Sequence, residues 1–248
     1  MEDWMANFGQ MLKQGAFGQA LIGSGLSLAH SWRARGGRRT AIFAASGLLL
    51  PYAAEYVGVN LLKAVRHHSQ PQLANVPLPA VLGWFNITYA SYAMVERIFA
   101  GLGHSRRRLA YPAATAAVAT SLDLLLDCFG LDQGLWQWST DGPYASEIVG
   151  PNGKHGIPVL NYVGWLQLTS TVTVLYQELA VKLAADEGRG NAGTAAAGQQ
   201  AALLALAYYL VAAGWAVANK KPQYLLCSAL FPLALIAAAR PAGNMVAA

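Results

Sequence analysis

Long apolar runs separated by short polar loops are the feature that most limits what this chain can become. A helix that crosses a hydrocarbon core of ~30 Å needs about 20 mostly apolar residues. Seven stretches of this kind can be read, over residues 17–32, 40–59, 78–99, 109–129, 156–183, 200–217 and 224–239. The first is diluted by Gly and Ser. An open strand edge cannot be satisfied in lipid, so each run is expected to be a helix. Of the 248 residues 55% are hydrophobic and only 12% charged, against roughly 25% charged in an ordinary soluble domain. The expected class is all-α: a polytopic integral membrane bundle of about seven transmembrane helices, one domain over residues 1–248. The charge deficit argues against a disordered chain and a nucleic-acid binder. Cys128 and Cys227 lie too far apart for a CxxC pattern, which rules out a disulfide scaffold and a Cys-based zinc site.

The net charge of +5 becomes a topology signal when it is divided between loops. Arg33, Arg35, Arg38, Arg39, Arg97, Arg106, Arg107, Arg108, Lys182, Arg189 and Arg240 fall on one side. Lys13, Lys63, Arg66, Lys154, Lys220 and Lys221 fall on the other. The positive-inside rule places the larger set in the cytoplasm, with the N-terminus out and the C-terminus in. No signal peptide is read, because Glu2 and Asp3 stand where a signal would be basic. The expected setting is a bacterial cytoplasmic membrane. Residues 184–198 read as a flexible cytoplasmic loop. The long loop near residues 131–155 carries Trp136, Trp138 and Tyr144, aromatics that suit an interfacial or re-entrant segment.

With only twelve Asp and Glu residues, each acid can be placed. Glu96 and Glu178 fall near the cytoplasmic ends of their helices, and Glu96 reads as an interfacial charge beside Arg97. Glu55 lies about 22 Å along the second helix from its cytoplasmic start, Asp123 about 21 Å along the fourth and Asp127 about 27 Å. All three belong to the outer half, and Asp123 and Asp127 share a helical face. An ionisable group inside a membrane costs at least ~2.5 kcal/mol, so each is a candidate functional residue. Trp84, Asn86 and Tyr89 on the third helix, and Asn161, Tyr162 and Trp165 on the fifth, fall close to the same level. Acids, amides and aromatics at one depth on four helices point to one cavity.

Carboxylic acids in an apolar setting can stay protonated near neutral pH. Such an acid facing an alkene is a general acid, and aromatic faces stabilise a nearby cation. Together they could protonate an isoprenoid C=C and manage the carbocation. Water capture gives a tertiary alcohol, and capture by an internal double bond gives a ring. The same lining would also suit a non-catalytic lipid or small-molecule carrier.

The segment from Leu50 to Val59, with Glu55, Gly58 and Val59, resembles the E-x-x-G-V run of the carotenoid biosynthesis protein family, which includes the membrane carotenoid 1,2-hydratases. Val76-Pro77 with Gly83-Trp84-Phe85 is similar to the start of that family's third helix. Asp123, Asp127, Gly134-Leu135-Trp136-Gln137-Trp138 and Gly142-Pro143-Tyr144 resemble its D-x-x-x-D…G-x-W-x-W…G-x-Y block. Gly156-Ile157-Pro158 with Asn161-Tyr162-Val163-Gly164-Trp165 resembles its most specific signature. The resemblance implies addition of water to the terminal double bond of an acyclic carotenoid end, without a redox cofactor. It makes Glu55, Asp123 and Asp127 the catalytic candidates. The expected substrate-binding set is Trp84, Asn86, Tyr89, Trp136, Trp138, Tyr144, Asn161, Tyr162 and Trp165. The expected partners are a hydrophobic isoprenoid or polyene and membrane lipid, with no cofactor, no metal and no nucleic acid. Cys128 after Asp127, residues 60–68 and the insertion-like stretch 145–155 depart from the family pattern. These departures make a shorter isoprenoid plausible and keep a proton-initiated terpene cyclase as the nearest rival. A Mg²⁺-dependent prenyltransferase would need more carboxylates than the single Asp123–Asp127 pair. His67-His68 reads as an interfacial basic patch with Lys63 and Arg66, and His30, His104 and His155 as solvated loop-edge residues. Gly23 and Gly25 are expected to permit close helix packing.

Overall fold

A computed structural model describes residues 2–239 apart from 101, 103, 141, 146, 147, 149–152, 154, 155, 188–205 and 207, and describes no side chains for 2–14, 104–106 and 181–187. His155, the His104 side chain, most of residues 145–155 and the expected loop beyond Glu187 lie outside that description.

The described chain is mostly helical. Helix α1 spans Glu2–Arg35, longer at both ends than the apolar run. Gly36, at φ 80°, reverses the chain within one residue, and α2 follows at Gly37–Tyr56. This left-handed step suits a residue without Cβ. Helix α2 widens into a π-turn at Val57–Leu61. The short strands β1 (Val65–His67), β2 (Gln72–Leu73) and β3 (Val76–Pro77) come next, and α3 occupies Leu78–Ile98. Helix α4 spans His104–Asp132, β4 Trp136–Trp138 and α5 Val159–Glu187. Helices α6 (Tyr208–Ala218), α7 (Pro222–Cys227) and α8 (Leu230–Ala239) complete the bundle.

Among the described residues, Gly37–Leu61 and Arg107–Asp132 are long and apolar enough to cross a membrane, whereas Tyr208–Ala218 and Leu230–Ala239 are apolar but shorter. Asn86, Thr88 and Ser91 dilute α3, and Asn161, Gln167 and a run of Thr and Ser dilute α5. The run expected as one helix over 224–239 is two. Pro232 has no N–H to return to Ser228. Ala229 and Phe231 instead close short turns onto Leu226 and Ser228, at 3.1 Å each.

Helix α3 sits at the centre, against α1, α2, α4 and α8. It is buried over most of its circumference, as a core helix should be. Phe43, Phe85, Tyr89, Tyr92 and Tyr176 meet there through mostly edge-to-face ring contacts. The outer surface is apolar, with Leu21, Ile22, Leu49, Leu160, Leu210, Leu226 and Leu233 all more than half exposed. A soluble monomer rarely shows so much apolar surface, and the apolar helices together with this surface indicate membrane association.

One end of the bundle holds a buried polar network that corrects one expectation. His30 is not solvated: it is 7% exposed, with Nδ1 2.5 Å from the Tyr89 hydroxyl. Glu96 is held in an ion pair there: Arg35, also buried, donates to it at 2.5 Å and to Tyr89 at 2.7 Å. Arg97 donates to the Ala238 carbonyl and so caps the end of α8. Gly23 does permit close packing, since a Cβ there would lie 2.8 Å from the Asn86 amide. Gly25 faces open space.

Candidate functional site

At the other end, helix α4 closes in a Schellman motif. Gly134 (φ 61°) takes the left-handed position, and Leu135 N–H reaches back to the Gly130 carbonyl at 2.8 Å. The chain then turns into β4, which pairs antiparallel with β1: Val65 faces Trp138, Arg66 faces Gln137 and His67 faces Trp136. The Trp136 ring lies against the backbone of α4 at Gly130, where an added Cβ would sit 2.1 Å from a ring atom. Gly130→Ala is therefore expected to displace Trp136 and cost about 1–3 kcal/mol, measured as thermal unfolding in detergent. Unchanged stability would show that the indole does not need this contact.

Beneath this ribbon lies a cavity of about 690 Å³ lined by Glu55, His67, Trp84, Asp123, Asp127, Trp136, Trp138, Asn161 and Trp165, among other residues. Glu55 stands on the last turn of α2, before the π-turn. One of its oxygens accepts from His67 Nε2 at 3.0 Å, and the other from Trp84 Nε1 at 2.9 Å. Asp123 and Asp127 are 3% and 6% exposed. The Asn161 amide donates to both, at 3.4 Å to Asp123 and more closely to Asp127. The shared amide thus brings together two carboxyls that stand four residues apart on one face of α4. The Trp84 and Trp165 rings stack with centroids 3.3 Å apart. Three carboxyl groups, an imidazole and stacked indoles thus surround one apolar space.

Helical phase decides which of the expected residues reach it. Asn86 follows Trp84 by two positions, about 200° around the helix, and faces α1. It accepts from Ser24 and donates to the Ala20 carbonyl and the Tyr208 hydroxyl. Tyr89 shares that face and belongs to the network with His30 and Arg35. Tyr162, one residue past Asn161, is buried in a second apolar cluster with Leu125 and Cys128. Tyr144 donates to the Thr140 carbonyl at 2.7 Å. None of these four is among the residues that line the cavity. His67 is the reverse case: expected in a basic patch, it is 93% buried, since its side chain is 7% exposed, and it holds Glu55. The visible signal was its place after a Glu-bearing helix and before a second aromatic block, which fixes no pairing by itself.

A family model described as carotenoid biosynthesis protein matches residues 17–237. This chain belongs to that family. Membership places the protein in carotenoid metabolism, as an isoprenoid-processing protein with a hydrophobic isoprenoid as substrate. Comparison with curated proteins and with solved structures returned no match.

Proposed function

We propose that this member of the family is an integral membrane enzyme that protonates a C=C bond of an isoprenoid and quenches the carbocation with water, a hydro-lyase run in the direction of hydration. The observation that carries the reading is the meeting of Glu55, Asp123 and Asp127, from two helices, in one tryptophan-lined apolar cavity. The Asp123–Asp127 pair supplies the proton, and the Asn161 amide stabilises the carboxylate left behind. Positive charge develops on the substrate carbon opposite the new C–H bond, facing the indoles of Trp84 and Trp165. Water adds there while Glu55, oriented by His67 and Trp84, takes up its proton. Return of that proton to the aspartate pair closes the cycle, so one water is consumed and nothing is oxidised.

The bundle is read as seven spans: α1 to α6, then α7 and α8 together. The Lys and Arg distribution puts the N-terminus outside and the carboxyl site in the outer half of the membrane. Trp136 and Trp138 then lie in an interfacial segment that roofs the cavity.

The test is incubation of membranes with acyclic carotenoids in deuterated water. Hydration raises product mass by one water and leaves one deuterium fixed on carbon. The indole lining also favours a second reading, proton-initiated cyclisation, in which the product keeps the substrate's composition but carries the fixed deuterium. No carbon-bound deuterium in any product would overturn both.

A further inference from the structure

A second cavity, of about 410 Å³, opens between α2 and α5, where Leu62 and Leu160 on its lining are exposed. Five residues line both it and the first cavity: Glu55, Val65, Trp84, Trp138 and Asn161. Glu55 and its partner Trp84 therefore belong to the partition between two chambers. The first chamber has its own lateral opening between α1 and α6, where Ile22, Leu26 and Val211 are exposed. Most of the second chamber is aliphatic, with Ala54, Val57, Leu62, Pro158 and Leu168 among its walls, so it suits hydrocarbon better than a polar head. A cavity of about 150 Å³ accommodates benzene, and an isoprene unit has one carbon fewer. The second chamber thus has room for roughly two isoprene units and the first for roughly four.

We propose that the two chambers form one passage and that an acyclic isoprenoid occupies both, crossing the partition beside Glu55. This rests on the cavity being the isoprenoid site, and it specifies how the chain lies there: it continues past the acids on both sides and enters sideways from the membrane.

Two glycines in the second chamber allow it to be filled. A Cβ at Gly164 meets nothing within 4 Å, and one at Gly58 meets only Val65, at 3.8 Å. Gly83, in the first chamber, also faces open space. The purified full chain in detergent is titrated with lycopene, and binding is read as quenching of tryptophan emission. Farnesol, geranylgeraniol and squalene serve as competitors of increasing length. The expected result is that squalene competes better than farnesol. Gly58→Leu and Gly164→Phe should each weaken lycopene and squalene at least about tenfold, the equivalent of ~1.4 kcal/mol, and leave farnesol unchanged. Gly83→Phe should weaken every length. If both second-chamber variants bind all lengths as the wild type does, or lose all lengths equally, the single passage is wrong. Because the readout is binding, a length effect without carbon-bound deuterium would retain the passage and remove the acid chemistry, and the converse result would do the opposite.

Discussion

Asp123→Asn is expected to cut turnover by about 10²- to 10⁴-fold, the range that a positioned general acid supplies. Asparagine keeps the size of the side chain and an oxygen to accept from Asn161, so the buried site at 3% exposure need not reorganise. What it removes is a carboxyl able to carry a proton. Because Asp123 and Asp127 share the Asn161 amide, the two carboxyls act as one unit, and Asp127→Asn should lose activity to a similar degree. Polyene quenching of tryptophan emission separates chemistry from binding: both variants should bind as the wild type does while deuterium transfer to carbon stops. An active Asp123→Asn enzyme with normal deuterium incorporation would remove the aspartate pair as the acid.

The apolar runs mark where helices lie, and the acids stand out because so few charges exist to place. What depth along a helix does not reveal is azimuth. Trp84 and Asn86 sit at nearly one level, yet one lines the cavity and the other faces α1. Asn161 and Tyr162 are adjacent and part in the same way. In an amphipathic surface helix the polar face would settle such choices, but α3 is buried nearly all round and offers no polar face to read. His67 was hidden for a different reason. Its strand has three residues, and its register is set by β4, far along the chain. A pairing that short and that non-local leaves no period in the sequence. The broken last helix is legible in principle, since Pro232 lies inside the run, but one proline is a weak signal within an apolar stretch of adequate length.

Glu55→Gln should change what is made more than whether the substrate is protonated. The wild-type carboxylate uses both oxygens as acceptors, one from His67 and one from Trp84. A glutamine offers one oxygen and turns an N–H₂ toward the other donor, so one hydrogen bond becomes a clash of donors. Loss of the acceptor leaves the cation formed by the aspartate pair with no group to take up the proton of the attacking water. The alcohol should fall by about 10²-fold or more, and products of unchanged mass, from proton loss or ring closure, should take its place with deuterium still fixed on carbon. His67→Ala frees one Glu55 oxygen without removing the carboxylate, so a smaller shift in the same direction is expected, partly restored in His67→Gln, whose amide can donate to Glu55. These signatures separate the two carboxyl sites: Asp123→Asn stops deuterium transfer, whereas Glu55→Gln redirects the cation after transfer. If Glu55→Gln instead abolished all deuterium incorporation while still binding polyene, Glu55 would be the proton donor and the roles assigned to the two sites would have to be exchanged.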